Sequence, residues 1–404
     1  DKLRLVDTDI GRNEPVQVVC GGVNLAEGMF VPVALPGSVV NWHGAGEVVE
    51  LKETKIRGEK SFGMICAGEE IGLPKSPPEY ITDLSELWAK TGLKKSKPGT
   101  PLAVALNLND VVLEVENKSL THRPDLWGHY GMAREFAAFL GLKLKPLNPK
   151  VTFPKTGVKV KIDVKPTVAG RFLSVVVGGI KVEASPAWLQ DKLTAVGMRP
   201  INNIVDITNY VMLELGHPMH AFDRAVVKTD HFVIRFAKDG EIITTIDHKK
   251  RILAKEDALV TNGETALAIA GVMGGVNSEI TPKTTEIVLE VATWNPIMIR
   301  KTEQRHNLRS DAAQRFEKSL DPEIAGLAFA RACELIMQIC TGAKFLGPAT
   351  DEYPEKPKQI TVTLDVEKTI SKIGVKIAEK DICKYLEALG FNTAKAAKGK
   401  LKVG

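Results

Sequence analysis

Three stretches rich in lysine and proline interrupt this chain: Lys94–Thr100, residues 142–158 and residues 351–358. Such segments carry neither helix nor strand pairing far. A single continuous core is therefore excluded, and several separately patterned blocks are expected. Length agrees, since 404 residues at ~150 per domain make two to three domains. With 44% hydrophobic and 25% charged residues, disorder along the whole chain is excluded as well. The formal net charge of +5 permits local basic patches but not a polycationic tail.

Five cysteines (Cys20, Cys66, Cys333, Cys340 and Cys383) stand far apart, with no CxxC pair. That argues against a disulfide scaffold and a thiolate zinc site, and for a reducing compartment. No apolar run reaches the ~18 residues of a membrane span, and no signal peptide opens the chain. A cytoplasmic protein with no membrane partner is expected. Lacking an initial Met, the sequence reads as part of a longer one.

Residues 1–75 are Val- and Gly-rich, with short runs such as Val16–Cys20 and Met29–Leu35 cut by Gly21-Gly22, Gly28 and Pro36-Gly37. This spacing predicts a small all-β barrel, closed by Pro74, Pro77 and Pro78. A helix is expected over Leu84–Thr91, a strand over Val111–Val115, and a helix over Leu126–Leu140 stopped by Gly141. From ~159 to ~350, strand-like runs (Phe172–Val177, Phe232–Phe236, Glu241–Ile246, Ala266–Ile269, Ile287–Val291) alternate with helices in an α+β pattern. Its last helix opens at Asp321-Pro322, keeps Ile324, Leu327, Ala328, Leu335 and Ile339 on one face, and is stopped by Gly342. Residues 359–404 are expected to hold a strand and a helix near Glu379–Leu389, too little for a stable domain alone.

The most informative stretch is Arg199–Asp223, which sets Asn202, Asn203, Asp206, Thr208, Asn209, His220 and Asp223 among Ile, Val and Leu. Buried without partners, such groups cost ~1–3 kcal/mol each, so they are either caps and Asx-turns or part of a ligand site. His217 and His220 are a poor metal pair, because no third ligand accompanies them and Pro218 breaks a regular helix. Ala268–Gly275 lacks both the GxGxxG order and a GKS/GKT ending, so its glycines serve close backbone approach rather than phosphate binding. Glu290 sits inside the apolar run Val288–Ala292, where it either faces outward or is an acceptor in a pocket.

Arg300, Lys301, Arg305, His306, Arg309 and Arg315 form a basic cluster after an Asn295-Pro296 helix start. It suits phosphate binding or a solvated or subunit-facing surface. Lys52, Lys55, Arg57 and Lys60 make a second basic strip, on the first β domain. Barrels often bind single-stranded nucleic acid on such a face, here through backbone contact since few aromatics are near.

Several of these stretches resemble one family, the bacterial-type phenylalanyl-tRNA synthetase β subunit. Val19–Gly28 (Val-Cys-Gly-Gly-Val-Asn-Leu-Ala-Glu-Gly), Val31–Gly37 and Arg57–Cys66 resemble its tRNA-binding OB barrel. Asn117–Asp125 followed by Ala133-Arg134-Glu135 resembles the short domain after it, and Arg199–Asp223 with Ala270–Gly275 resembles its editing module. The resemblance covers nearly the whole chain in family order. It implies a multidomain α+β fold: an OB-type β-barrel (1–75), a small α/β segment and linker (76–150), an editing domain of B3/B4 type (151–352) and a partial B5-type domain (353–404).

The resemblance implies a β subunit of phenylalanine-tRNA ligase that binds tRNA(Phe) and hydrolyses mischarged tyrosyl-tRNA(Phe). Its implied partner is an α subunit, in a heterotetramer of two α and two β chains. Aminoacylation in the family belongs to the α subunit, and no class II GxGxxR motif occurs here. No cofactor is expected on this chain, with ATP and magnesium belonging to the complete holoenzyme. Glu290 is implied to accept the tyrosyl hydroxyl, and Gly271 to leave room for the ring or permit close approach. Thr208, Asn209 and His220 are implied to surround the ester, His220 as a general base or an orienting donor. The competing reading is a non-catalytic scaffold that docks tRNA and the α subunit.

Overall fold

The computed structural model describes residues 3–73 and 75–404, so Pro74 lies outside the described residues. The chain forms two compact units, Asp1–Leu113 and Glu114–Gly404. The segment expected at 76–150 is thus shared between them.

In the first unit the strands are short: β1 (Arg4–Thr8), β2 (Val16–Cys20), β3 (Val33–Ala34), β4 (Val39–Trp42), β5 (Glu47–Glu50), β6 (Thr54–Ile56), β7 (Glu59–Ser61) and β8 (Met64–Ile65). They pair as four antiparallel ladders, β1-β2, β3-β8, β4-β5 and β6-β7. The described residues therefore do not form the closed barrel expected for 1–75. Glycines and turns cut the strands to two to five residues, too short to lap round a barrel. Isolated bonds join the ladders instead, with Phe62 N donating to Gln17 O at 2.9 Å and Val19 N to Ser61 Oγ at 3.0 Å. Val18, Cys20, Ile65 and Ile81 fill the small core. Helix α1 (Leu84–Thr91) starts at an Asp83 cap, and a single turn α2 (Leu102–Ala105) follows.

The strand expected at Val111–Val115 does not form. Its apolar residues are exposed, Val111 at 79%, and no described strand pairs with the segment.

In the second unit α3 (His129–Leu140) begins three residues later than expected. A 3-10 turn at Pro124–Trp127 and extended Gly128 precede it, and Gly141 ends it at φ +66°. Gly128 lies so close to Gly216 that a Cβ would stand 2.3 Å from the Gly216 nitrogen. The chain then runs through β9 (Lys161–Asp163), β10 (Ala169–Gly178), α4 (Ala187–Ala195), α5 (Asn203–Leu215), β11 (His220–Asp223), α6 (Arg224–Val227) and β12 (His231–Phe236). Next come β13 (Ile242–Thr244), β14 (Lys250–Ile252), β15 (Ala258–Thr261), β16 (Ala266–Ile269), β17 (Met273–Gly274) and β18 (Glu286–Trp294). Helices α7 (Pro296–His306), α8 (Asp311–Phe316) and α9 (Pro322–Ile339) follow, then β19 (Lys344–Phe345) and β20 (Thr350–Glu352). Gly342, expected to stop α9, lies in the turn after it at φ +88°.

One sheet has the order β11-β18-β10-β19, with β20 also on β10, and a second has β17-β16-β15-β12-β9. Strand β18 is buried on both faces, which explains its nearly continuous apolar run. Leu289 and Val291 share a core with Ile204 and Ile207 of α5 and Ala328 of α9. Val288 and Ala292, on the opposite face, share a core with Phe232, Leu259 and Leu267 of the second sheet. The unit is thus layered helices, sheet, sheet.

Residues 142–158, expected as a linker, contribute Leu147, Val151 and Phe153 to the helix-side core. Of residues 351–358, the first two complete β20. The last segment holds more than expected: β21 (Val362–Asp365), α10 (Val366–Ile373), α11 (Glu379–Ala388), β22 (Thr393–Ala397) and β23 (Lys400–Val403). The sheet order β21-β23-β22 closes a small core of Val366, Ile382, Leu401 and Val403.

Candidate active site

Strand pairing brings three polar side chains into a row. Glu290 of β18 is opposite Ser174 of β10 on one side and His220 of β11 on the other. By strand alternation Glu290 shares its face with Val288 and Ala292, and His220 shares its face with Phe222. The row therefore looks between the two sheets. Ser174 donates to Leu289 O at 2.8 Å and is satisfied.

Glu290 and His220 are not. Among the described residues no group hydrogen-bonds the Glu290 carboxyl, and the buried His220 Nε2 has no partner. Desolvation pushes the Glu290 carboxyl up to about 8 and the His220 imidazole down to about 4. At neutral pH both are uncharged. A neutral acid beside a neutral imidazole, both without hydrogen-bond partners among the described residues, marks a candidate functional site. The outward-facing alternative for Glu290 is excluded, since the residue is only 6% exposed.

The His220 ring is held from two sides. It meets Phe222 edge-to-face at 4.5 Å between centroids. On the other side lies the backbone of Gly274, where a Cβ would stand 2.7 Å from His220 Cε1 and 2.8 Å from Nε2. Gly271, given that kind of role from the sequence, makes its close approach elsewhere. It turns the chain at φ +66°, and its missing Cβ leaves room for Trp294 and Ile299. The signal for Gly274 was present in the same glycine-rich motif, but spacing alone does not say which glycine meets the histidine.

Thr208 and Asn209 lie half-buried on α5, whose apolar stripe faces the helix-side core. Thr208 Oγ1 donates to Val205 O within the helix at 2.7 Å. No hydrogen bond joins either residue to Glu290 or His220 among the described residues. Their polar neighbours are local structure. Asn202 caps α5, Asp206 accepts from Ile201 N and Ser185 Oγ, and Asp223 caps α6. Fully buried His217 uses both nitrogens, on Pro218 O at 3.0 Å and Thr293 Oγ1 at 3.4 Å, and burial lowers it to about 4. Among the described residues no three metal-ligating side chains gather.

The basic cluster after β18 is mixed: Arg300, Lys301, Arg305 and Arg309 are exposed, while His306 and Arg315 turn inward. Arg305 and His306 both bind the fully buried Asp257, Arg315 is buried against Asp311, and Arg309 lies 4.0 Å from Glu303. The strip in the first unit is different, since Lys52, Lys55, Arg57 and Lys60 are all exposed. Lys55 and Lys60 are direct cross-strand partners, with Arg57 at the turn between them at φ +52°. Like charges directly opposite destabilise a hairpin, a cost that an anionic partner offsets.

Two domain families match the chain: "Putative tRNA binding domain" over residues 1–83 and "B3/4 domain" over residues 168–341, which contains the Glu290–His220 row. The chain is thus a tRNA-binding domain joined to a B3/4 domain. It is 39% identical over 398 residues to the phenylalanine–tRNA ligase beta subunit of Clostridium acetobutylicum, covering 97% of this chain and 48% of that protein. The same subunit of Porphyromonas gingivalis is 38% identical over 99% of this chain and 48% of its own length. An N-terminal fragment of the phenylalanyl-tRNA synthetase beta-subunit from Pyrococcus horikoshii aligns at 14% identity over 80% of this chain and 88% of its own, with a TM-score of 0.35. Over the length it spans, the chain belongs to the phenylalanine–tRNA ligase β-subunit family. That length is about half that of the curated relatives it matches.

Proposed function

We propose that this chain is the tRNA-binding and editing portion of a phenylalanine–tRNA ligase β subunit, hydrolysing tyrosine from mischarged tRNA(Phe). The observation that carries the reading is the unpartnered Glu290–His220 pair between the two sheets. An apolar synthetic pocket for phenylalanine rejects an added hydroxyl by only about a hundredfold. A second site that requires that hydroxyl supplies the rest.

Glu290 reads the hydroxyl. Held neutral by burial, it can accept from or donate to the phenol oxygen. With phenylalanine it stays unpaired, a difference of ~1–3 kcal/mol, or about 5- to 150-fold. His220, uncharged at neutral pH, offers its free ring nitrogen to water. The water oxygen adds to the ester carbonyl, its proton passes to His220, and the departing ribose oxygen takes that proton back. Thr208 and Asn209 are assigned to the ester's surroundings by the family resemblance alone, since α5 packs on the sheet face opposite Glu290, and Gly274 keeps the imidazole in place. The exposed Lys52, Lys55, Arg57 and Lys60 of an OB-type first unit contact tRNA backbone.

The partners of the whole enzyme are tRNA(Phe) and the α subunit, two of each chain, with ATP and magnesium used in synthesis on the α subunit. No helix among the described residues is long and apolar enough to cross a membrane, and we place the enzyme in the cytoplasm. Deacylation of tyrosyl- and phenylalanyl-tRNA(Phe) tests the reading, with Glu290→Ala and His220→Ala beside the unaltered chain. Selective loss of tyrosine that Glu290→Ala relaxes and His220→Ala slows is expected. Equal hydrolysis of both esters, or hydrolysis indifferent to both substitutions, overturns it.

A further inference from the structure

Between β12 and β15 a hairpin projects whose construction the hydrolytic site does not use. Its inner face is anchored, with Ile243, Thr245 and Arg251 buried and Asp247 turned to Arg251 Nη2 at 2.8 Å. Its turn hangs on the strand that covers the histidine. Ile246 N donates to Gly274 O at 3.0 Å, and Thr245 bridges to Gly275. Gly274 is the residue lying against His220.

The outer face has the opposite character. Ile242 and Ile252 are register partners, 60% and 71% exposed. Lys250 shares their face opposite Thr244, and Lys249 stands exposed at the end of the turn. Neither lysine has a carboxylate partner among the described residues. An exposed apolar pair rimmed by unpaired cations is an interaction surface. The charge asks for a polyanion, and the apolar pair asks for a partner with unstacked rings or sugar faces. A single-stranded nucleic acid meets both demands, whereas a regular duplex hides its bases.

We propose that the outer face and turn of the β13–β14 hairpin hold the single-stranded 3′ end of the tRNA that brings its ester to His220. The inference rests on the editing reading for its location. Lys249 and Lys250 take phosphates, and Ile242 and Ile252 take base or sugar faces. A segment that binds here is led along the hairpin to the turn, one hydrogen bond from the strand over the imidazole.

Fluorescence anisotropy on the full chain tests this, using a labelled RNA minihelix of an acceptor stem with its single-stranded 3′ overhang, from low to moderate salt. Each backbone phosphate contact on a single strand contributes about 0.7 to the slope of log affinity against log salt. Lys249→Ala with Lys250→Ala is expected to weaken binding about tenfold at low salt and to flatten the slope by roughly 1.4. Ile242→Ser with Ile252→Ser, at exposed positions, weakens binding with the slope unchanged. A blunt minihelix feels neither pair. Unchanged affinity and slope in the lysine variant overturns the proposal, as does failure of the unaltered chain to bind at low salt. So does an equal loss on the blunt minihelix, or binding of an acidic peptide in preference to the overhang. Binding is read without turnover, so a chain that grips the overhang through this hairpin yet hydrolyses neither ester refutes the editing reading and leaves this one standing.

Discussion

Replacing Glu290 by Gln should change how stability depends on pH, and the structure fixes both sign and size. In the folded chain the carboxyl titrates near 8 because it is desolvated, against 4.5 as its ordinary value. Between those limits the folded state holds a proton that the unfolded state has lost, so stability falls as pH rises. His217 and His220 act in the opposite sense. Both are lowered to about 4 from 6.5, so they favour unfolding below pH 6.5 and are neutral in both states above it. The clean window is therefore pH 6.5 to 8, about 1.5 units at 1.36 kcal/mol each, or about 2 kcal/mol. Urea denaturation at several pH values across that window should show the unaltered chain losing about 2 kcal/mol relative to Glu290→Gln. Gln keeps the shape and neutrality of the protonated acid, so the two proteins should be close only below about pH 4.5; at pH 6.5 Glu290→Gln should already be the more stable by about 2.7 kcal/mol, and the gap should widen by the further ~2 kcal/mol at pH 8. Parallel curves would refute the reasoning. They would mean that the folded Glu290–His220 pair binds no proton across this window, with Glu290 ionised beside a neutral imidazole, and the proposed discrimination against phenylalanine would then rest on a charged acceptor.

Gly274→Ala places a Cβ within 2.8 Å of the imidazole; tyrosyl-tRNA(Phe) hydrolysis should fall at least about tenfold with the circular dichroism spectrum unchanged, and full activity would show that the ring's position is immaterial. Asp257→Ala removes the acceptor of Thr302 Oγ1, His306 Nε2 and Arg305; a loss of about 3–5 kcal/mol in urea is expected, and a loss under 1 would show the knot to be dispensable. Lys55→Glu puts opposite charges across the β6–β7 hairpin. It should stabilise the first unit by about 0.2–1 kcal/mol while weakening RNA binding at low salt, and tighter binding would contradict the assignment of that strip.

How much of this was legible beforehand depends on whether the deciding contact is local. Helix α1 and the Asn295 and Asp321 caps are set by neighbouring residues, and they stand where the sequence put them. Val111–Val115 has a strand's composition but pairs with no described strand, and composition does not decide pairing. The first 75 residues show barrel-like punctuation, but whether short strands join into one sheet depends on pairings far apart in the chain. Glu290 was recognisable as anomalous because a carboxyl stood in an apolar run. Its neutrality was not, because that comes from a second sheet packed over it. The choice between Gly271 and Gly274 turned on a single ring in a strand some fifty residues earlier.

The strand that carries Glu290 belongs to both cores of its unit, and this ties the surroundings of that carboxyl to global unfolding. A site on a loop or lid can open, breathe and be remodelled at small cost. Here the amides around residue 290 should exchange with solvent only when the whole unit opens, so they should be among its slowest. Substitutions at Val288–Ala292 loosen two cores at once, so selection for a folded protein removes most changes around Glu290 before any other consequence of them is exposed.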